Sequence, residues 1–139
     1  MPYDVSGFVE VRYDPDCDLL EWQPLLCLNA VFLGGDEVSA KLFGLAKHPP
    51  QPGLFEKRGV PSDASKAVRA WDKENDAFIE QHGEGDFNHT YALWSEISAV
   101  DLSDIDLEGS QWKLVFDFLP KLLGPYEARG IRIVVAGNW

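Results

Sequence analysis

The first segment of the chain alternates between two kinds of side chain. Apolar or aromatic residues and one glycine occupy the odd positions from 3 to 13, and polar residues occupy the even ones, with Phe8 as the exception. A period of two is typical of a strand with one face in the core and one in solvent. We therefore predict a strand over residues 3–13. The β-branched run at residues 131–136 predicts another strand, which closes the chain.

The apolar segments between these two strands are shorter. Residues 19–22, 38–45 and 89–94 are predicted as short strands, and Pro24 is expected to end the first of them. Residues 25–33 are apolar throughout. Because periodicity alone does not separate a short buried strand from a short buried helix, this segment fits either element.

Two longer segments have the period of a helix. The first has Ser62 or Asp63 as its predicted cap, followed by apolar residues on one face. The second has Ser110 as its predicted cap and an apolar stripe, which Pro120 should kink or end. A shorter helix is predicted over residues 95–100.

The order of these elements predicts the fold class. Strands at both ends with helices between them are typical of α+β proteins. With 139 residues, the chain has the length of one domain. We expect a single globular domain over residues 1–139, with a mostly antiparallel sheet and two main helices packed on it.

The charge of the chain narrows the classes of partner. There are 23 Asp and Glu residues against 12 Lys and Arg, which gives a net charge of −11. Because nucleic acids are bound through accumulated Lys and Arg, we expect no direct nucleic-acid binding. No apolar run is long enough to cross a bilayer and no signal peptide opens the chain, so we expect no membrane association and a cytoplasmic location.

Residues 41–73 form a basic window in this acidic chain. They hold seven of the 12 Lys and Arg residues and only three acids. Such polarised charge concerns binding more often than folding. The sequence therefore indicates either a small anionic ligand in a local basic pocket or, through the acidic remainder, a basic partner protein.

The main site candidate lies inside the basic window. Lys57, Arg58 and Gly59 precede the predicted helix start, where backbone N–H groups and the helix dipole favour an anion. Arg69 lies on the basic helix face, and His89 adds a contact. The predicted ligand-binding set is Lys57, Arg58, Gly59, Ser62, Arg69 and His89. The competing interpretation is an ordinary capped helix with a solvated basic face.

The sequence carries no common catalytic or cofactor motif. His82, Glu84, Asp86 and His89 are residue types that bind metals, but their spacing matches no metal motif. We expect no cofactor and no metal, and a binding role rather than catalysis. An enzyme in which His89 acts with nearby acids stays open as a third hypothesis.

Five short segments, spread over most of the chain, carry a resemblance. They are Gly7-Phe8-Val9-Glu10-Val11-Arg12, Leu42-Phe43-Gly44-Leu45, Arg58-Gly59-Val60-Pro61-Ser62-Asp63, His89-Thr90-Tyr91 and Ile131-Arg132-Ile133-Val134-Val135. In this order they resemble a group of small acidic proteins of tailed phages, prophages and related mobile elements. The resemblance implies an accessory phage protein in the host cytoplasm that acts by binding, for example as an antagonist of host defence. No established reaction in that group supplies catalytic residues.

Charge and resemblance together lead to two hypotheses of function. In the first, the protein antagonises host defence by sequestering a small phosphorylated, nucleotide-like molecule. In the second, it is an acidic inhibitor or immunity-type protein that covers a basic surface of a host protein, as a nucleic-acid mimic does. The acidic runs at residues 14–18 and 101–108 would then make the contact. A homo-oligomer is compatible with both.

Overall fold

An antiparallel sheet of five strands forms the centre of the fold in the computed structural model, which describes residues 3–83 and 86–138. The strands are β1 (Asp4–Val11), β2 (Gln23–Cys27), β3 (Leu33–Gly34), β4 (Thr90–Leu93) and β5 (Ile131–Asn138). Their order is β2-β1-β5-β4, and β3 pairs with the beginning of β1. β1 and β5 pair along their whole length, so both ends of the chain meet in the middle of the sheet.

Helices and turns connect these strands. The described helices are α1 (Glu37–Phe43), α2 (Lys66–His82), α3 (Trp94–Ile97) and α4 (Trp112–Phe118). Turns of 3-10 helix follow β2 at Leu28–Val31 and α4 at Leu119–Leu122, and another precedes β5 at Ala128–Gly130. Within the described residues, no helix is long and apolar enough to cross a membrane.

Both faces of the sheet are covered. On one face, α1, α3 and α4 pack against alternate residues of β5, such as Ile133, and form the larger core. On the other face, α2 packs through Val68 and Trp71 against Val134 and Ala136. β5 is therefore buried on both sides, which explains its continuous β-branched sequence.

The predicted fold class is confirmed. The chain is α+β, with an antiparallel sheet and helices packed on it. The predicted first and last strands are observed as β1 and β5. The effect of Pro120 is also confirmed, because α4 ends at Phe118 and a 3-10 turn with Pro120 in its first positions follows.

Residues 38–45 were predicted as a strand, and this prediction is wrong. They form most of α1, because both ends of that helix are capped. The side chain of Asp36 accepts hydrogen bonds from the N–H groups of Val38 and Ser39, at 3.0 and 3.1 Å. Gly44 ends the helix with φ of 67°, a conformation that glycine adopts without steric cost.

The predictions around Pro24 are also corrected. Residues 19–22 lie in turns and extended chain, and β2 begins one residue later, at Gln23. Pro24 lies inside β2, opposite Glu10, where a bulge interrupts the pairing. An outer strand tolerates proline because the backbone groups along its outer edge have no neighbouring strand to bond with. Residues 25–33 are divided between β2, the 3-10 turn and β3.

Candidate functional site

A pair of buried charges lies on the sheet face that α2 covers. Glu10 on β1 and Arg132 on β5 are direct partners across the sheet, and their side chains are 0% and 4% exposed. The Nε of Arg132 donates to Oε1 of Glu10 at 2.6 Å. The alternation in β1 placed Glu10 on a solvent face, whereas the helix above the sheet encloses it.

Asp63 extends this pair toward the surface. Its Oδ1 accepts from Nη1 of Arg132 at 2.8 Å, and its Oδ2 accepts from the indole nitrogen of Trp22 at 3.1 Å. The Arg132 guanidinium lies 3.9 Å from the centre of the Trp22 ring, close enough for a cation–π contact. Burial alone would raise the pKa of Asp63, but the bonds from Arg132 and Trp22 lower it below its usual value. Asp63 is therefore held as an anion.

The same buried pair fixes the start of α2. The second oxygen of Glu10 accepts the N–H of Ser65 at 2.7 Å, and the Ser65 hydroxyl accepts the N–H of Val68 at 3.3 Å. Ser65 is thus the cap, and α2 begins at Lys66. The predicted cap at Ser62 or Asp63 is wrong, because the Asp63 carboxylate is bound to Arg132 and Trp22 instead.

A cleft of about 290 Å³ opens above this cluster, between the segment after β1 and the first turn of α2. We call it the α2 cleft. Three cationic side chains line it, those of Arg12, Lys66 and Arg69. The indole of Trp22 and the side chain of Asp63 form part of its wall.

Arg12 is the unusual member of this lining. The residue is only 9% exposed, and its Nη2 donates to the carbonyl of Cys17 at 2.5 Å. Its Nε is buried and has no hydrogen-bond partner among the described residues. A buried guanidinium nitrogen without a partner is costly, so the hydrogen-bonding capacity of Arg12 is only partly used.

Carboxylates also line the α2 cleft, and they differ in how strongly they offset the charge of its cations. Asp63 compensates Arg132 in the layer below, and lies 3.7 Å from Nη1 of Arg12. Asp18, 3.6 Å from Arg12, is fully exposed, so water screens its charge strongly. Glu21 is also exposed. The three cations and three carboxylates of this lining are therefore equal in number, and of these six side chains Arg12 is the buried one.

Of the residues predicted for a site, Arg69 lies in the α2 cleft. Its Nε donates to the carbonyl of Ala64 at 2.8 Å, which turns the side chain back over the helix start. Ser62 is exposed, is not part of the cleft lining, and does not cap the helix. Lys66, three residues before Arg69 in α2, also lines the cleft.

Arg58 and Gly59 lie elsewhere, along the outer edge of β4. Both outer nitrogens of Arg58 bind the carboxylate of Glu96, at 2.8 and 2.9 Å, and Arg58 lowers the pKa of that carboxyl. The charge of Arg58 is therefore compensated. Gly59 donates its N–H to the carbonyl of His89 at 2.9 Å and has φ of 79°. These contacts attach a loop to the edge of the sheet.

The side chain of His89 packs against residues of α2. Its Nε2 lies 2.9 Å from the amide nitrogen of Asn75 and 3.6 Å from Asp72. Its ring packs edge-on against Trp71, with centroids 5.0 Å apart. Burial lowers the pKa of His89, against the opposing effects of three carboxylates. His89 does not line the α2 cleft.

Lys57 lines a different cavity. This cavity, of about 350 Å³, has Tyr3, Asp86 and Asn88 in its lining and lies beside the end of β5. The predicted residues therefore lie in separate parts of the fold. Arg69 lines the α2 cleft, and Lys57 lines the cavity beside the end of β5. Arg58, Gly59 and His89 lie around β4. Residues that are close together in the sequence of the basic window are therefore not close together in the fold.

Sequence reasoning missed Arg12, Trp22 and Arg132. One available signal was Arg132 itself, since a cation between Ile131 and Ile133 in a β-branched strand implies a buried partner. Its cross-strand pairing with Glu10 required the register of β1 against β5, which the sequence alone does not supply.

No metal centre is found in the described part of the chain. Residues 3–83 and 86–138 contain no group of three or more His, Cys, Asp or Glu that could hold an ion. Glu84, in the His82 to His89 segment, lies outside the described residues. No family model, curated protein or solved structure matches this chain.

Proposed function

We propose that the protein binds a small phosphorylated, nucleotide-like anion in the α2 cleft. The observation that carries this proposal is the convergence of Arg12, Lys66 and Arg69 on one cleft. Arg12 is about nine-tenths buried there, and its Nε has no partner among the described residues. Guanidinium groups suit phosphate oxygens because several N–H donors lie in one plane.

The charge order along α2 supports the same site. Lys66 and Arg69 lie at the start of the helix, where the dipole is positive, and no acid occupies the first turn. Cations are stabilising at the other end of a helix, so this arrangement does not serve the stability of α2. It raises the positive potential at the cleft, where an anion benefits from both the side chains and the helix start.

The resemblance to small phage proteins gives this binding a biological role. A protein that captures a phosphorylated signalling molecule of the host would act as an antagonist of host defence without catalysis. Such a role needs a cytoplasmic binding protein with a selective pocket and no reaction.

Thermal unfolding with defined anions tests the proposal. The probes are inorganic phosphate, pyrophosphate, AMP, cyclic AMP and ATP. A ligand at about ten times its Kd adds about 1.4 kcal/mol to the free energy of unfolding, which raises Tm by several degrees. The Lys66→Ala, Arg69→Ala double variant should lose this gain. If no probe raises Tm, or if the double variant keeps the gain, the proposal fails.

Two control variants sharpen this test. Lys73→Ala removes a cation from the same helix but outside the α2 cleft, so the ligand-dependent gain should persist. Arg58→Ala distinguishes binding in the α2 cleft from binding at the site predicted from the sequence, which included Arg58. Because Arg58 is bound to Glu96, this variant should lower Tm without ligand and keep the ligand-dependent gain.

A second candidate function is binding of a basic partner protein through an acidic surface. The acidic runs predicted for it are partly compensated: Asp16 binds Arg129, Asp104 binds Lys41, and Glu108 lies near Lys113. Carboxylates of the later part of α2 and its following segment are the better candidate. Asp72, Asp76 and Asp86 each oppose the lowering of the His89 pKa, and Asp72 lies 3.6 Å from its Nε2; we call these three carboxylates the acidic α2 patch.

Binding to a fluorescent poly-arginine peptide tests this second candidate. Neutralising the acidic α2 patch by Asp72→Asn, Asp76→Asn and Asp86→Asn should weaken binding about ten-fold, with a steep dependence on salt. The matched control, Asp16→Asn, Asp104→Asn and Glu108→Gln, changes net charge equally. Equal weakening in both variants would show that only net charge matters and would remove the defined surface.

A further inference from the structure

The sheet edge beside β1 lacks charge along its whole length. β2, the Leu28–Val31 turn and β3 follow one another along this edge, and no Asp, Glu, Lys or Arg occurs between Glu21 and Asp36. This is the longest such interval in a chain in which 25% of residues are charged. Charged side chains are one of the means by which proteins keep sheet edges from pairing, and this edge has none, although β2 carries a proline and a bulge.

Apolar side chains are exposed along the same edge. Leu25 in β2 is 44% exposed, and Phe32, just before β3, is 83% exposed. Phe32 has φ of 57°, a left-handed conformation that is costly for a bulky aromatic residue. This conformation ends the Leu28–Val31 turn, so it has a local cause. The exposed ring does not contribute to the core of the isolated chain and can contact another chain.

The two outer strands of the sheet, β4 and β2, differ in what covers their outer edges. The outer side of β4 is occupied, because Arg58 donates its N–H to Thr90 and its Nη1 to the carbonyl of Tyr91. The neighbouring N–H of Gly59 bonds to the carbonyl of His89. Beyond β2, in contrast, no further strand is found among the described residues, so its outer backbone groups can pair with another chain.

A second copy of this chain is the occupant that fits this edge. A basic partner would be selected by carboxylates, and the edge has none. Two copies with a net charge of −11 each repel one another wherever their acids meet, so an uncharged contact is the most favourable approach. Antiparallel pairing about a two-fold axis also makes one strand complementary to itself.

We propose that the protein forms an isologous dimer through antiparallel pairing of β2 with the β2 of a second copy. The two-fold axis passes near Leu25, so the Leu25 side chains of the two copies contact each other across it. Phe32 adds apolar contact at the edge of this interface. The bulge lies between Pro24 and Leu26, so Leu25 has no partner residue on β1, and its side chain is 44% exposed. Dimerisation through β2 does not depend on a ligand in the α2 cleft.

Sedimentation velocity between about 1 and about 100 μM tests the dimer, since this range brackets common homodimer affinities. The expected species has twice the chain mass of 15.6 kDa. Leu25→Lys places two like charges opposite each other and should raise the dissociation constant about ten-fold or more. Leu114→Lys, at a 61% exposed leucine of α4, is the control and should dimerise like the unaltered protein.

Two results would overturn the proposal. One is a monomer throughout the concentration range, and the other is a Leu25→Lys variant that dimerises as strongly as the control. Hydrogen exchange of the unaltered protein decides the case in which Leu25→Lys does not fold. Amides of Gln23–Cys27 should exchange more slowly at the higher concentration, and unchanged exchange there would also exclude the β2 contact.

Discussion

Glu10 and Arg132 show what a buried ion pair does in this protein. Removing two charges from water costs several kcal/mol per ion, and an apolar pair of similar volume is often equally stable. Stability alone therefore does not account for the pair. Its specific effect is geometric, because Glu10 bonds to both Arg132 and the N–H of Ser65 and so fixes where α2 starts relative to the sheet.

We predict that Glu10→Gln lowers the free energy of unfolding by about 3 kcal/mol, because it leaves a buried cation with weaker compensation. Urea denaturation measures this loss. The Glu10→Leu, Arg132→Leu double variant should recover only part of it, since no buried charge of the pair remains but the N–H of Ser65 loses its acceptor. Asp104→Asn, which breaks a solvent-exposed pair with Lys41, should change the urea midpoint little. A Glu10→Gln protein as stable as Asp104→Asn would contradict the buried-pair argument.

His89 gives the protein a pH dependence of defined sign. Burial of the ring lowers its pKa below the usual 6.5, although Asp72, Asp76 and Asp86 act in the opposite direction. Between the folded pKa and 6.5 the unfolded chain binds more protons, so the free energy of unfolding rises with pH there and falls as pH drops below 6.5.

The measurement compares stability at about pH 5.5 and about pH 7.5. We predict that His89→Gln loses less stability on acidification than the unaltered protein, because its side chain does not titrate. His82→Gln is the control, since His82 is exposed, and it should keep the full pH dependence. An identical loss in all three proteins would show that His89 does not contribute.

At the scale of elements, the start of α2 separates what the sequence could predict from what it could not. The helix and its apolar face were foreseeable from the spacing of residues such as Val68 and Trp71. The cap was not, because Ser62, Asp63 and Ser65 are all suitable residue types. The choice among them is made by Arg132 and Trp22, which bind Asp63 from distant positions in the chain.

Ser65→Ala should therefore destabilise the protein by about 1 kcal/mol, the usual loss for removing a helix cap. Ser62→Ala is the matched control, three residues earlier in the same segment, and should change stability by less than about 0.5 kcal/mol. Thermal or urea denaturation of both variants measures the difference. The reverse order of effects would return the cap to Ser62.

The α2 cleft shows a similar limit of sequence reasoning. The alternation in β1 correctly predicted a strand, and placed Glu10 and Arg12 together on its polar face. That this face lies under α2 depends on how the chain crosses the sheet after β3, for which no local signal exists. Charge clustering in residues 41–73 was a poor guide because Lys41, Arg58 and Arg69 are directed to different places.

At the scale of the whole molecule, the net charge of −11 and the uncharged edge at β2 act together. Acids spread over the remaining surface oppose close approach of two copies at every distance shorter than the screening length. That length is about 10 Å at 0.1 M salt and about 30 Å at 0.01 M. The edge itself contributes backbone hydrogen bonds and apolar contact, neither of which salt weakens.

Salt should therefore strengthen the β2 dimer. We predict that its dissociation constant falls as NaCl rises from about 0.02 to about 0.3 M, because screening reduces repulsion between the two copies. Binding of a basic peptide to the acidic α2 patch should respond with the opposite sign, since screening there reduces attraction. Sedimentation velocity and fluorescence anisotropy measure the two responses in the same buffers. A dimer that dissociates as salt rises would mean that opposite charges hold it together, and β2 could not then be the main contact.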